Sequence, residues 1–178
     1  QKKPGTGRTA FKKKAPTGTK TAMTSPKGIS GKRKRAEPVA LLAALDGKRK
    51  QAIPSGVEPM LATLADSPAG GYDWMYEIKW DGFRSLAYLR YEEVDIRSRN
   101  DKNFNDKFYP IRTALQEWNI HAVVDGEIIV MNDKGFPDFS ALQTWRSEAD
   151  GELFYYVFDI LWYEGFDLMN VPLVQRRT

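Results

Sequence analysis

Four residue types that suit phosphate chemistry lie close together in the run Lys79-Trp80-Asp81-Gly82-Phe83-Arg84. A lysine amine is a nucleophile only when neutral, and nearby cations and partial burial favour that form. Arg84 would supply positive potential, and Gly82 would let the backbone approach a phosphate closely because it has no Cβ. Asp81 is a hard oxygen ligand of the kind that Mg²⁺ uses. The run suggests covalent chemistry at Lys79, although an ordinary Asp-Gly hairpin turn would explain the same residues.

The residues that precede the lysine alternate as in a β-strand. Between Tyr72 and Lys79 one face would carry Trp74, Tyr76 and Ile78, and the other would carry Met75, Glu77 and Lys79. We therefore expect a strand that ends at Lys79 and directs its amine into a cleft.

The rest of the chain predicts an α+β domain rich in antiparallel strands. The expected strands cover residues 85–89, 94–99, 123–131 and 154–162, with a turn at residues 132–135. Phe108, Ile111, Leu115 and Trp118 have the spacing of one helical face. Asp138 is expected to cap a short helix that bears Phe139, Leu142 and Trp145.

Charge divides the 178 residues into two unlike parts. Residues 1–50 hold 15 Lys and Arg against two acidic residues, a balance of +13, whereas the net charge of the whole chain is +4. We expect residues 1–56 to form a disordered basic linker or tail, with a turn or two of helix within 38–46, and residues 57–178 to be ordered. The tail would attract phosphate backbones, or would simply be a solvated linker between domains.

Composition excludes several classes of function. The chain has no cysteine, so disulfides and thiolate metal sites are excluded, and its single histidine, His121, argues against a Ser-His-Asp triad or a histidine zinc site. It has neither an apolar run near the roughly 20 residues that span a bilayer nor a secretory signal. We expect a soluble, intracellular protein without a membrane partner.

Four ordered motifs resemble those of the covalent nucleotidyltransferases. They are the run at Lys79, Ser98-Arg99-Asn100, Val124-Asp125-Gly126-Glu127 and Phe154-Tyr155-Tyr156-Val157-Phe158-Asp159-Ile160. The sequence is most similar to the ATP-dependent DNA ligases, and among them to the ligase module of bacterial ligase D, a multidomain end-joining repair ligase. Pro59-Met60-Leu61-Ala62, Phe139-Ser140-Ala141-Leu142-Gln143 and Pro172-Leu173-Val174-Gln175-Arg176-Arg177 also match that subgroup. The resemblance covers about residues 57–178 and implies an adenylation-domain fold.

The resemblance implies a role for each matching residue. Lys79 would attack the α-phosphorus of ATP, release pyrophosphate and hold AMP. The adenine edge would be read by Glu77 and the Ile78 backbone, and the ribose hydroxyls would be held by Glu127. Arg84 and Arg99 would contact ribose and phosphate, Phe158 would stack on adenine, and Asp81 would contact Mg²⁺ or Mn²⁺. The alternatives are surface arginines, a turn at Asp125-Gly126 and a core phenylalanine.

The sequence departs from the family at two places. Asp101 stands where glycine commonly follows Ser-Arg-Asn. The family's later glutamate and lysine motifs and its OB-fold domain would follow Thr178, so we expect a C-terminally truncated adenylation domain without an OB-fold. We expect this piece alone not to seal nicks, and the missing lysines and glutamate put unaided self-adenylylation and the metal site in doubt.

For the parent enzyme, the resemblance implies nick sealing during end-joining repair in the bacterial cytoplasm, in association with the nucleoid. Its expected partners are nicked duplex DNA, further repair domains of the same polypeptide and an end-binding protein. Two other functions stay open. One is an RNA ligase or capping-type nucleotidyltransferase, and the other is noncatalytic nucleic-acid binding through the tail.

Overall fold

An antiparallel sheet of six strands organises the part of the chain that the computed structural model describes, residues 36–71 and 74–177, with the backbone alone for 36–39. The strands are β1 (Arg49–Lys50), β2 (Phe83–Arg90), β3 (Glu93–Ser98), β4 (His121–Val130), β5 (Leu153–Tyr163) and β6 (Phe166–Asp167). Their order in the sheet is β1-β6-β5-β4-β2-β3. The α-helices are α1 (Ala36–Ala44), α2 (Tyr109–Gln116), α3 (Phe139–Thr144) and α4 (Leu173–Arg176). The predicted α+β class is confirmed. No helix within the described ranges is long and apolar enough to cross a bilayer.

One face of the sheet packs against α2 and α3. Ile111 and Leu115 of α2 are buried there, as their helical spacing predicts, whereas Trp118 lies beyond the end of the helix and is 48% exposed. Asp138 caps α3 as predicted, because its Oδ1 accepts a hydrogen bond from the Ala141 backbone at 2.9 Å. These contacts complete the larger of the apolar cores.

One end of the other face is covered by a segment that precedes the sheet's longer strands. Leu86 and Tyr88 of β2 form a second buried cluster with Trp162, and the segment at residues 51–57 packs over it. The Val57 backbone donates a hydrogen bond to Tyr88 Oη, and Trp162 Nε1 donates one to the Gln51 carbonyl, each at 2.9 Å. By strand alternation, Arg84 shares this face with Leu86 and Tyr88, at the end of β2 that the segment does not cover.

Part of the predicted tail belongs to the folded unit, because residues 36–56 contain α1 and β1. Arg49 pairs with Asp167 in the sheet, and Leu42 is buried against Leu168 and Val171. The few apolar residues of this stretch are thus enough to dock it, although its composition predicts a linker. Residues 1–35 lie outside the described residues, and the disorder expected there stays a prediction.

The prediction of a strand that ends at Lys79 is wrong for the residues that the structure describes. Residues 74–79 have no regular secondary structure and all are exposed, and β2 begins only at Phe83. Alternation makes a strand only where a neighbouring strand supplies hydrogen bonds. Here Trp80 stacks on Tyr156 of β5, so the segment crosses the face of the sheet instead of joining the sheet. Tyr72 and Asp73 lie outside the described residues.

Candidate active site

A cavity of about 380 Å³ opens beside Lys79 on the partly uncovered face of the sheet. Its lining includes six of the residues that the sequence analysis selected, namely Glu77, Ile78, Lys79, Arg84, Glu127 and Phe158. One wall of the cavity is apolar and is formed by Met60, Leu61 and Ala62. In the sequence these residues stand out only as part of a segment that resembles the ligase subgroup. The cavity therefore places a lysine amine beside a carboxylate and an aromatic ring.

Arg84 contacts two of the motifs that follow it in the chain, those that contain Asp125 and Phe158. Its Nε and Nη2 donate hydrogen bonds to the Asp125 carboxylate at 2.6 and 2.7 Å, and its guanidinium carbon lies 4.7 Å from the centre of the Phe158 ring. The hydrogen bond to Asp125 raises the pKa of Arg84. The sequence predicts that Arg84 supplies positive potential to the site, but the buried Asp125 carboxylate largely compensates its charge.

Glu127 is half-buried on β4, between Arg84 on β2 and Tyr156 on β5 in the sheet register. Burial raises the pKa of the Glu127 carboxyl, while Arg84, the Gly82 backbone N–H and Lys79 all oppose that rise. The carboxylate thus interacts with both basic residues of the lysine motif, and Asp125 faces the same site, as alternation predicts.

Gly82 lets the lysine segment meet the sheet closely. A Cβ at this position would lie 2.1 Å from the Ile128 carbonyl oxygen and 2.7 Å from a methyl group of Ile129. Only glycine fits such an approach without a shift of the backbone. The sequence predicts that Gly82 lets a phosphate approach the backbone, whereas in the structure its lack of a side chain allows close packing against β4.

The last described residues close one side of the cavity, a role that the sequence analysis missed. Leu173 of α4 lines the cavity, and Arg177 forms an ion pair with Glu77. Arg176 bonds Asp159, the neighbour of Phe158, through Nε at 2.7 Å and Nη2 at 2.6 Å. In the sequence, the contacts of Arg176 and Arg177 are signalled only by the two consecutive arginines that end the segment at residues 172–177.

Arg99 lies apart from Lys79. It lines a second cavity of about 520 Å³ together with Asn100 and Lys102, and the two cavities share Arg84 and Glu127. The Arg99 backbone N–H donates to the Arg84 carbonyl at 3.2 Å, which fixes the loop after β3 at the start of β2. With the exception of Asp81, the predicted site residues thus line two adjoining cavities.

Asp81, the predicted metal ligand, is exposed and is not among the residues that line either cavity. Among the described residues, no group of three or more His, Asp or Glu side chains could hold a metal ion. The buried carboxylate of Asp125 is already paired with Arg84. The residues that the structure describes therefore do not fit a metal site.

The fold and the cavity together define a nucleotidyltransferase-type α+β domain. The chain belongs to the family of the ATP dependent DNA ligase domain, whose model matches residues 59–178. The predicted family is confirmed by this match.

Several known proteins are similar to part of this chain. The multifunctional non-homologous end joining protein LigD of Pseudomonas aeruginosa is 35% identical over 131 residues, which are 72% of this chain and 16% of that protein. The crystal structure of the ligase domain from M. tuberculosis LigD matches with a TM-score of 0.52 and 29% identity over 57% of this chain and 33% of that one. A mycobacterial DNA ligase D complexed with ATP and MES gives the same TM-score at 30% identity, over the same shares of the two chains. The chain thus spans less than a fifth of that LigD relative.

Proposed function

We propose that Lys79 is the nucleophile of an ATP-dependent DNA ligase and becomes covalently adenylylated. The observation that carries this proposal is the cavity that Lys79 shares with Glu77, Glu127 and Phe158. Family membership supplies the reaction class, and the cavity supplies a place where a nucleotide would lie against the lysine. The known complex of a mycobacterial ligase D with ATP supports the choice of nucleotide.

The neutral amine of Lys79 attacks the α-phosphorus of ATP and forms a P–N bond. The bond from that phosphorus to the bridging oxygen breaks, and pyrophosphate leaves with the electron pair. The proton of the amine passes to solvent. The product is an enzyme-bound AMP, which the parent enzyme would transfer to the 5′-phosphate of a nick before the 3′-hydroxyl displaces AMP.

The cavity walls suggest how the nucleotide is oriented. Phe158 would stack on the base, Glu77 and the Ile78 backbone would read the base edge, and Glu127 would accept hydrogen bonds from ribose hydroxyls, since all four residues line the cavity. Arg84 acts chiefly by holding Asp125 and packing on Phe158. Arg99, in the adjoining cavity, would contact phosphate groups.

We propose that the parent protein acts on nicked duplex DNA in end-joining repair, in the bacterial cytoplasm at the nucleoid. LigD relatives that are named for non-homologous end joining support this assignment. Further repair domains and an end-binding protein would be its partners. Residues 57–178 would be the N-terminal part of the adenylation domain, and residues 1–35 would supply a basic linker.

Radiolabelled ATP tests the proposal directly. The chain, and the longest polypeptide that its reading frame encodes, are incubated with ATP labelled at the α-phosphorus and with Mg²⁺. We expect an acid-labile label on Lys79 in the longer polypeptide, lost in Lys79→Ala and retained in Lys102→Ala, whose lysine lines the adjoining cavity.

Label that persists in Lys79→Ala, or its absence from the longer polypeptide, would contradict the proposal. Transfer from GTP in preference to ATP would favour a capping-type enzyme instead. Salt-sensitive DNA binding by the chain that is lost without residues 1–35 and indifferent to Lys79→Ala would show that the tail binds DNA independently of the site.

A further inference from the structure

Lys79 lacks the support that a strand would give to a nucleophile. Its neighbours from Trp74 to Ile78 are all exposed, and regular structure resumes only with β2 at Phe83. A catalytic amine must nevertheless stay within a fraction of an ångström of its productive position. Some other contact has to hold the segment over the cavity.

An aromatic stack supplies such a contact directly beside the lysine. The rings of Trp80 and Tyr156 are 3.9 Å apart between centroids and are inclined by only 19°. Trp80 is half-buried although its neighbours Lys79 and Asp81 are exposed. The stack therefore anchors the exposed segment to the sheet directly beside Lys79, whereas the ion pair of Glu77 with Arg177 joins the segment to the residue that follows α4.

The position of Tyr156 explains where the stack directs the lysine. Tyr156 lies on β5 opposite Glu127 of β4, and Glu127 in turn lies opposite Arg84 of β2. The chain continues from Trp80 into β2, but the Trp80 ring contacts β5, which is separated from β2 by β4. This path carries Lys79 over the face that holds Glu127 and Phe158.

Gly82 fixes the segment on the other side of Trp80. Its close approach to the Ile128 carbonyl and the hydrogen bond from its N–H to Glu127 hold the chain against β4. With Gly82 fixed on β4 and Trp80 fixed on β5, the backbone direction at Lys79 has little freedom left. Two anchors replace the missing strand.

We propose that Trp80 and Tyr156 form a positioning pair that holds Lys79 over the nucleotide cavity. The pair acts through Lys79 and does not take part in bond making. The proposal deepens the proposed function and rests on it for the chemical role of Lys79, but the restraint itself is a property of the folded chain and is measured separately.

Limited proteolysis measures the restraint without any nucleotide. Trypsin cleaves the bond after Lys79, and Tyr156→Leu removes the stack without changing the sequence around that bond. We expect cleavage to be about tenfold faster in Tyr156→Leu, because that factor corresponds to the interaction energy of an aromatic pair. Tyr156→Phe keeps the ring and should be cleaved at the wild-type rate. Equal rates in Tyr156→Leu and wild type, with both folded by circular dichroism, would overturn the proposal.

Acylation by acetyl adenylate measures the consequence for chemistry. The neutral Lys79 amine attacks the acetyl carbon and forms an amide. The bond from that carbon to the phosphate oxygen breaks, AMP leaves with the electron pair, and the amine proton passes to solvent. Mass spectrometry of the acetylated lysine thus reports the geometry at Lys79 without the later steps of ligation. At saturating reagent we expect Trp80→Ala and Tyr156→Leu to slow acylation of Lys79 by roughly 10- to 100-fold, with a much smaller change in the half-saturating concentration. Trp80→Phe and Tyr156→Phe should restore the rate. Acylation of Lys134, which is exposed and lines neither cavity, serves as the reference for nonspecific reaction.

The two measurements separate the possible failures. The acylation experiment is repeated with the longer polypeptide, with and without competing ATP. If Tyr156→Leu is cleaved faster but ATP does not slow acylation of wild-type Lys79 in the longer polypeptide, the proposed function is refuted and the pair is a structural anchor only. Wild-type acylation that is unaffected by Trp80→Ala and Tyr156→Leu would overturn the positioning role while the function of Lys79 stands.

Discussion

Arg84 donates two hydrogen bonds to Asp125, from Nε at 2.6 Å and from Nη2 at 2.7 Å, and this bidentate pair joins the lysine motif to the Asp-Gly-Glu motif. The Asp125 side chain is only 4% exposed, whereas that of Arg84 is 30% exposed. A buried carboxylate requires such a partner because its desolvation is otherwise uncompensated. The pair therefore holds the site together before any nucleotide enters.

Removing Arg84 should destabilise the fold by leaving Asp125 without its partner. We expect Arg84→Met to lower the free energy of unfolding by about 2–3 kcal/mol, less than for a fully buried pair because Arg84 is partly exposed. The double variant Arg84→Met/Asp125→Asn should recover part of this loss, since a neutral amide is less costly to bury. Urea denaturation of the single and double variants checks the coupling. Strictly additive losses would contradict it.

The Glu127 carboxyl should make stability depend on pH. Burial raises its pKa above the ordinary 4.5, so the folded state binds the proton more tightly than the unfolded chain does. The contribution of Glu127 is therefore most favourable below pH 4.5 and is lost as pH rises through the raised pKa. Glu127→Gln removes the titration and keeps an acceptor for the Gly82 N–H. We expect the variant to gain stability relative to wild type between pH 4 and pH 8, as followed by urea denaturation, and a difference that is constant with pH would contradict this sign.

Local patterns in the sequence predict the parts of the fold that depend on neighbours along the chain. The β-branched run after His121 forms β4, and Asp138 caps α3 through the Ala141 backbone. The motif residues Lys79, Glu127 and Phe158 also line one cavity, because each motif lies on or next to a strand of the same sheet. Period and spacing are sufficient for such features.

Features that depend on distant partners were not predictable from the same patterns. The alternation before Lys79 suggests a strand, but the partner that fixes this segment is the side chain of Tyr156, 76 positions beyond Trp80 in the sequence. Likewise, nothing local shows that Arg84 bonds Asp125, or that β1 pairs with β6. These contacts follow from sheet register and strand order, which a single sequence does not display.

Substitution of Gly82 should test how closely the lysine segment must meet β4. An alanine Cβ would lie 2.1 Å from the Ile128 carbonyl oxygen, a backbone atom that cannot move without disturbing the β4 pairing. We expect Gly82→Ala to lower the free energy of unfolding by about 1–3 kcal/mol, the usual cost of overpacking. Gly70→Ala is the matched control, because nothing lies within 4 Å of its added Cβ. Thermal unfolding of both variants checks the difference, and equal effects would show that β4 accommodates the methyl group.

Arg176, the last residue of α4, should contribute far more to the free energy of unfolding than Arg177 at the C-cap. Arg176 is 8% exposed and is paired with Asp159, which is 12% exposed, whereas Arg177 is 32% exposed and is paired with the more exposed Glu77. We expect Arg176→Met to cost about 3–5 kcal/mol, because the Asp159 carboxylate would stay largely buried without a cationic partner and would keep only the hydrogen bond from the Ile160 backbone N–H. For Arg177→Met we expect about 0–1 kcal/mol, as for a surface pair. Urea denaturation of the two variants provides the comparison, and Arg176→Met/Asp159→Asn should regain part of the loss. Similar losses in the two single variants would mean that the Arg176 pair is no more critical than a surface contact.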